Sequence, residues 1–241
     1  MEIGDLTWTD VRDRETGFDV ALLPVGSTEQ HGPHAPIRTD ALVATELARR
    51  AAEEEETVCL PPINIGVSEE HAEFDGTLYV SPDTFRSYVR ETLESAASHG
   101  FDAAVVVNGH GGNIDALQEV CEELTREDVI FATEWTWWRS IDEDGYEMGH
   151  AGELETSLVK YLRPELVSDS DAEEGAESWG EFVSGSFVAY DTHEFSENGV
   201  VGDPRDASAE EGKYLFDISL GSLRRLIEYL RDERLSQSSV Q

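Results

Sequence analysis

Ala103-Ala104-Val105-Val106-Val107-Asn108-Gly109-His110-Gly111-Gly112-Asn113 sets the class of this fold. Five apolar residues without alternation read as a strand buried on both faces, the pattern of a parallel sheet covered by helices. A glycine-rich turn carrying a histidine follows at once, and then a helix pattern from about Asn113 to Leu124. The same order stands earlier in the chain. Val20 to Val25 is a continuous apolar run closed by Gly26, Glu29-Gln30-His31-Gly32-Pro33-His34 follows, and Asp40 opens a helix pattern to Glu54 with Leu42, Val43, Leu47 and Ala51 on one face.

Outward from these two units the periods keep alternating. Val58 to Ile65 reads as a strand in which Pro61 and Pro62 imply a bulge or an edge, and Pro24 implies that pairing lapses near the end of the first strand. Ser81 and Pro82 signal the start of a helix to about Ser98, with Phe85, Tyr88, Val89, Leu93 and Ala96 on its apolar stripe. Gly100 ends it. Val129 to Thr133 reads as a further strand, and Glu153 to Leu162 as a helix after a loop to Gly149. Residues 168 to 203 read as irregular surface loop with short strands at most. The last helix runs from about Ala207 to Arg231, with Leu215, Ile218, Leu223, Leu226, Ile227 and Leu230 inward. This alternation implies an α/β fold with a mainly parallel central sheet covered on both faces, in one domain over residues 1–241. Ligands in such folds bind beyond the carboxyl ends of the strands.

Charge excludes whole classes of function. Asp plus Glu number 52 against 17 Lys plus Arg, a net charge of −35. Such a field repels DNA, RNA and anionic membranes. The acids are scattered, with runs at Glu53 to Glu56 and Asp169 to Glu177, which implies a solvated surface and a halophilic host. No run of about eighteen apolar residues and no basic-then-apolar leader occurs, so a soluble, cytoplasmic protein is expected. Cys59 and Cys121 are far apart and read as reduced core thiols.

Three of the seven histidines fall in the two glycine-rich turns, beside carboxylates. Glu29 and His31 are two apart, so an extended backbone projects both to one side. Asp40 can return toward the strand end, and His110 lies on a second turn of the same rim. Two imidazoles and two carboxylates suit zinc, manganese or iron(II), and a bridging carboxylate allows two ions. A third segment, His150-Ala151-Gly152-Glu153-Leu154-Glu155-Thr156-Ser157, offers His150 as a proton shuttle and Glu153 or Glu155 as a further ligand or assistant. His34 reads equally as a turn-packing residue or a site residue. His71 reads as an ordinary surface or loop histidine before a substrate contact, His99 as a helix-end residue before Gly100 explained by a favourable dipole contact, and His193 as surface. Trp135, Trp137 and Trp138 read either as core or as a wall over the pocket.

Taken together, Glu29 to His34, Thr39-Asp40, Asn108 to Asn113 and His150 to Ser157 resemble the signature of the creatininase (creatinine amidohydrolase) family. Phe74-Asp75-Gly76-Thr77 and Gly199-Val200-Val201-Gly202-Asp203-Pro204 resemble family segments too, and the likeness spans about residues 20 to 215. The resemblance implies a three-layer α/β/α sandwich, commonly hexameric, with two divalent ions per subunit (Fe2+, Zn2+ or Mn2+) and hydrolysis of amide C–N bonds. By that resemblance Glu29, His31, Asp40 and His110 are ligands, Asp40 bridges, Glu155 is a further ligand that assists catalysis, and His150 or a nearby carboxylate protonates the departing nitrogen.

Creatinine hydrolases of the family carry Tyr-Glu after the histidine of the second motif, and that Glu is itself a ligand. Here Gly111 and Gly112 stand in those places, and Gly149 stands where they carry a further Glu. The archaeal formamidopyrimidine deformylases are closer in having His-Gly-Gly-Asn. The expectation is therefore deformylation of 2-amino-5-formylamino-6-ribosylaminopyrimidin-4(3H)-one 5'-phosphate in flavin and deazaflavin synthesis, with Arg38 and the helix start near Gly112 facing the phosphate. Creatinine hydrolysis and a catalytically silent metal-binding assembly protein are the alternatives. Some relatives trim a peptide precursor, though the sequence offers no anchor for a peptide groove.

Overall fold

The computed structural model describes residues 1–13, 20–53, 57–141, 146 and 148–235. In chain order its elements are α1 (Trp8–Asp13), β1 (Val20–Val25), α2 (Thr39–Ala51), β2 (Thr57–Cys59), α3 (Pro82–Ser98), β3 (Ala103–Asn108), α4 (Ile114–Arg126), β4 (Phe131–Thr136), α5 (Glu153–Leu162), the hairpin β5 (Phe182–Val183) and β6 (Ser186–Phe187), and α6 (Ala209–Tyr229). β2, β1, β3 and β4 lie side by side in that order, all parallel.

Alternation along each strand sends neighbouring side chains to opposite faces, so the unbroken apolar runs feed two cores. Val20, Leu22, Val105 and Val107 meet Val43 and Leu47 of α2, Leu158 of α5, and Leu215, Leu223 and Ile227 of α6. Ala21, Leu23, Val25, Ala104 and Val106 meet Phe85, Val89 and Leu93 of α3, and Leu117, Val120 and Leu124 of α4. Three layers result. Each fully buried leucine or phenylalanine contributes about 1.5–3 kcal/mol from the area removed from water.

The strand order places the functional rim. From β1 the chain adds β2 on one side and then β3 on the other, so the connections leaving β1 and β3 diverge to opposite faces. A crevice opens beyond the carboxyl ends of strands where that reversal occurs. Residues 26–38 leave β1 and residues 109–113 leave β3, which sets both glycine-rich turns at this crevice.

Several elements differ from the sequence reading. The second strand stops at Cys59 rather than reaching Ile65, because Pro61 and Pro62 have no N–H to donate; contact with β1 returns only as a single bridge between Val25 and Ile63. Pro24 ends regular pairing on that side alone, since β1 stays in register with β3 through Val25 and Asn108. β4 starts two residues late, after Asp128 turns through a positive φ of 58°. Tyr88 is exposed rather than inward. α2 ends at Ala51, α4 continues to Arg126, and α6 begins at Ala209 behind a Ser208 cap and gives way to a π-type turn at Leu230–Leu235. The expected helix end at Glu54, and most of the acidic run 53–56, lie outside the described residues. The stretch 168–203 is not only surface: Thr192, Ser196, Val200 and Val201 are buried, and Val201 bridges both His150 and Ala176. Both cysteines are free and buried, which pushes their thiols up to about 12. No helix among the described residues is long and apolar enough to cross a membrane.

Candidate metal centre

Glycine brings the pieces of the site together. A Cβ on Gly26 would collide with the backbone of Ala41, and one on Gly109 with the carbonyl of Asp40, so the ends of β1 and β3 both pack directly on the first turn of α2. Asp40 lies in that first turn, where free amides and the helix dipole favour a carboxylate. The connection after β1 is closed by Glu29 N–H donating to the Ile37 carbonyl at 2.9 Å. Around His110, the Asn108 side chain accepts from the His110 N–H at 3.1 Å and donates to its carbonyl at 2.8 Å. Asn113 ties the same turn to Val67 and Gly26.

Glu29, His31, Asp40, His110, His150 and Glu155 are all buried, and they converge. Asp40 Oδ1 is 3.0 Å from His31 Nε2, and Oδ2 is 3.2 Å from His110 Nδ1. Each histidine has a second carboxylate: Glu155 Oε1 lies 3.6 Å from His31 Nε2, and Glu29 Oε2 lies 3.1 Å from His110 Nδ1. Glu155 Oε2 accepts from the Ala151 N–H at 2.6 Å, which leaves Oε1 for the cluster. Between the two acids the sequence left open, Glu155 enters the site and Glu153 is exposed.

The electrostatics are those of a site built around cations. Burial alone would lower His31 and His110, but Asp40 and Glu155 around the first, and Glu29 and Asp40 around the second, hold both well above the usual imidazole range. Burial would raise the Asp40 carboxyl, yet these two histidines hold it well below the usual carboxylate range. His150 is lowered, by burial first and then by His31. Both oxygens of Glu29, Oδ2 of Asp40 and Nε2 of His31 are buried without a hydrogen-bond partner. Orphaned carboxylate oxygens facing orphaned imidazole nitrogens fit divalent ions, and Glu29, His31 and Asp40 offer ligand atoms within 4.8 Å of one another, as do His31, His150 and Glu155.

The sequence reading missed several neighbours. His71, read as a loop histidine, is buried; its Nε2 is 3.4 Å from Glu29 Oε1, and its ring stacks on His150 at 4.3 Å. Burial and the neighbouring histidines push it far below the usual range. Glu70 lines the cavity and is raised by burial, with His110 opposing. The adjacent Phe74 to Thr77 segment was the available signal for this loop. His34 is buried with Nε2 2.9 Å from the Thr156 hydroxyl, a brace behind the cluster. His99 and His193 lie on the surface. The tryptophans divide: Trp137 is core, Trp135 packs against the same core, and Trp138 lines the cavity, where Trp179 from the irregular stretch joins it.

That cavity is about 350 Å³ and is walled by every member of the cluster but His31, together with Ile114, Trp138, Met148 and Trp179. A second, about 590 Å³, shares Met148, Gly149, Glu155 and Trp179 with it. Among the described residues lining either one there is no lysine or arginine, and Arg38 is exposed away from both. The absence of a side chain at Gly112 has a steric reason, since a Cβ there would collide with the Val67 carbonyl.

The profile of the family described as Creatininase: Creatinine amidohydrolase matches residues 4–227. A mycofactocin precursor peptide peptidase of Mycobacterium ulcerans (strain Agy99) is 36% identical over 228 residues, 89% of this chain and 86% of that one. A 2-amino-5-formylamino-6-ribosylaminopyrimidin-4(3H)-one 5'-monophosphate deformylase of Methanobrevibacter smithii is 28% identical over 228 residues, 88% and 92% of the two chains. Solved creatininases in a manganese form and in a zinc–zinc variant form align over 96% of this chain, and over 98% and 97% of theirs, at a TM-score of 0.80 and 22% identity, which shows a shared fold.

Proposed function

The chain belongs to the creatininase family, and from that premise we propose that it is a divalent-metal-dependent amidohydrolase acting on an uncharged amide of peptide type. One observation carries the reading: Asp40 turns its two oxygens to two different histidines, and each histidine is backed by its own second carboxylate. Glu29 and His110 would hold one ion, His31 and Glu155 the other, with Asp40 shared between them. When bound, zinc, manganese or iron(II) supplies Lewis acidity, lowering the pKa of water and polarising a carbonyl.

The protein's own groups do the rest. His150 Nε2 lies 2.8 Å from the Gln30 carbonyl, which only accepts, so the proton sits on Nε2 and Nδ1, 3.7 Å from Glu29 Oε1, keeps a lone pair. Nδ1 takes the proton of the attacking water and returns it to the amide nitrogen as the C–N bond breaks, giving a carboxylate and an amine. Trp138, Met148 and Trp179 supply apolar wall against which an amide substrate lies.

Two facts favour a peptide-type amide. The relative at 36% identity is a peptide peptidase, and the cavity presents carboxylates with no lysine or arginine among its described lining residues to receive a phosphate. Deformylation of the formylaminopyrimidine phosphate remains the second reading, favoured by the deformylase relative matching 88% of this chain. Metal-replete protein incubated in parallel with short uncharged peptides, the formylaminopyrimidine phosphate and creatinine separates them. Peptide cleavage that a chelator abolishes is the expected result. Formate release alone selects the second reading, and creatine formation alone contradicts both.

A further inference from the structure

We propose that Gln30 locks His71 as its Nε2–H tautomer, so that His71 turns a proton toward Glu29 and positions that carboxylate electrostatically rather than serving as a further imidazole ligand. The orientation of the Gln30 amide is settled by two groups that each have a single role. The Gly32 N–H only donates, and it lies 2.8 Å from Oε1; the Gly199 carbonyl only accepts, and it lies 2.9 Å from Nε2. The second N–H of that amide nitrogen meets His71 Nδ1 at 2.9 Å. Nδ1 must therefore carry a lone pair, with the Thr192 hydroxyl 3.0 Å away as a second neighbour. A neutral ring has one proton, and it is left on Nε2.

Nε2 of His71 is the atom that faces Glu29 Oε1, at 3.4 Å, an electrostatic contact that leaves Oε1 without a formed hydrogen bond. Drawing Oε1 toward His71 leaves Oε2 directed at His110 Nδ1, 3.1 Å away. Glu29, His71 and His150 also place ligand atoms within 4.8 Å of one another, a spacing that suits one ion. A protonated Nε2 has no lone pair to give, so this trio is not a metal site. Gln30 thereby sets two stacked imidazoles in opposite senses toward Glu29: its carbonyl leaves His150 with a lone pair on Nδ1, and its amide leaves His71 with a proton on Nε2. Gly199 makes room for this, since its φ is +79° and a Cβ would run into the Gln30 amide.

The positioning role rests on the metal-centre reading; the tautomer does not. Long-range proton–nitrogen spectra of metal-free protein carrying 15N-histidine test the tautomer, with His71 assigned by its loss in His71→Gln. The expected pattern is a pyridine-type Nδ1 and a pyrrole-type Nε2. In Gln30→Glu a carboxylate oxygen replaces the donor opposite Nδ1, and the pattern reverses. Competition with a chromophoric chelator then reads Zn2+ affinity. His71→Ala and Gln30→Glu weaken it about 10–100-fold, the usual effect of losing a partner behind a ligand, whereas His71→Gln, whose amide N–H can replace Nε2–H, largely restores it. A pyrrole-type Nδ1 in the wild type overturns the proposal, as does a His71→Gln affinity as weak as that of His71→Ala. Absence of Zn2+ binding by the wild type overturns the metal-centre reading and the positioning role together, while leaving the spectrum to decide the tautomer.

Discussion

The backbone of Gly109 rests on the carbonyl of Asp40 with no room for a Cβ between them. This contact is how the end of β3 reaches the start of α2, and so how His110 reaches Asp40. Gly109→Ala is expected to cost about 1–3 kcal/mol through overpacking. It should also weaken Zn2+ binding by more than tenfold, because His110 moves off Asp40. Thermal unfolding with and without Zn2+ checks both, and an unchanged Zn2+-induced rise in Tm contradicts the placement.

The shifted histidines predict a bell-shaped stability profile for the metal-free protein. His34, His71 and His150 have folded pKa values below the ordinary value of 6.5, so below about that pH the unfolded chain binds more protons and stability falls as pH falls. His31 and His110 have raised folded values; the stability they contribute is full below pH 6.5 and lost as pH rises through those values. Metal-free Tm should peak near neutral pH. Zn2+ binding requires both imidazoles deprotonated, so the Zn2+-induced rise in Tm should grow from pH 6 to pH 8. A rise that shrinks over that range contradicts the assignment.

Glu155 and Glu153 make an internal comparison on one helix. Glu155→Gln removes a buried charge facing His31 and is expected to lower turnover more than about 100-fold, beyond what an outer partner is worth. Glu153→Gln changes an exposed group and should leave turnover within about twofold. Steady-state rates with the hydrolysed amide decide between them.

With 52 acidic residues against 17 basic ones, self-repulsion destabilises the folded chain wherever salt does not screen it. Raising KCl from about 0.1 M to about 1 M contracts the Debye length from ~10 Å to ~3 Å. Tm should rise steadily over that range. A flat or falling Tm contradicts the reading of this acidity as an adaptation to high salt.

How much of this was legible in the sequence depended on whether a residue's role was local. The run Ala103 to Val107 has no polar residue, so a strand buried on both faces was the only economical reading, and the histidines on the turns after β1 and β3 followed it to the rim. Asp40 and Glu155 were likewise readable, as acids at the starts of helices that return to that rim. His71 and Trp179 were not. Both sit in stretches without periodicity, and they reach the cavity only because Thr192 and Val201 of the irregular 168–203 stretch fold back over it. Gln30 was hidden for another reason: its partners Gly32, His71 and Gly199 lie up to 169 positions away from it, and only their combined geometry gives it a task.

Anomalous diffraction from crystals soaked in Zn2+ tests the central claim most directly. Two peaks per chain are expected, a few ångströms apart and on either side of the Asp40 carboxylate, one beside Glu29 and His110 and the other beside His31 and Glu155. A single peak held by Glu29, His71 and His150, or no peak touching Asp40, contradicts the account.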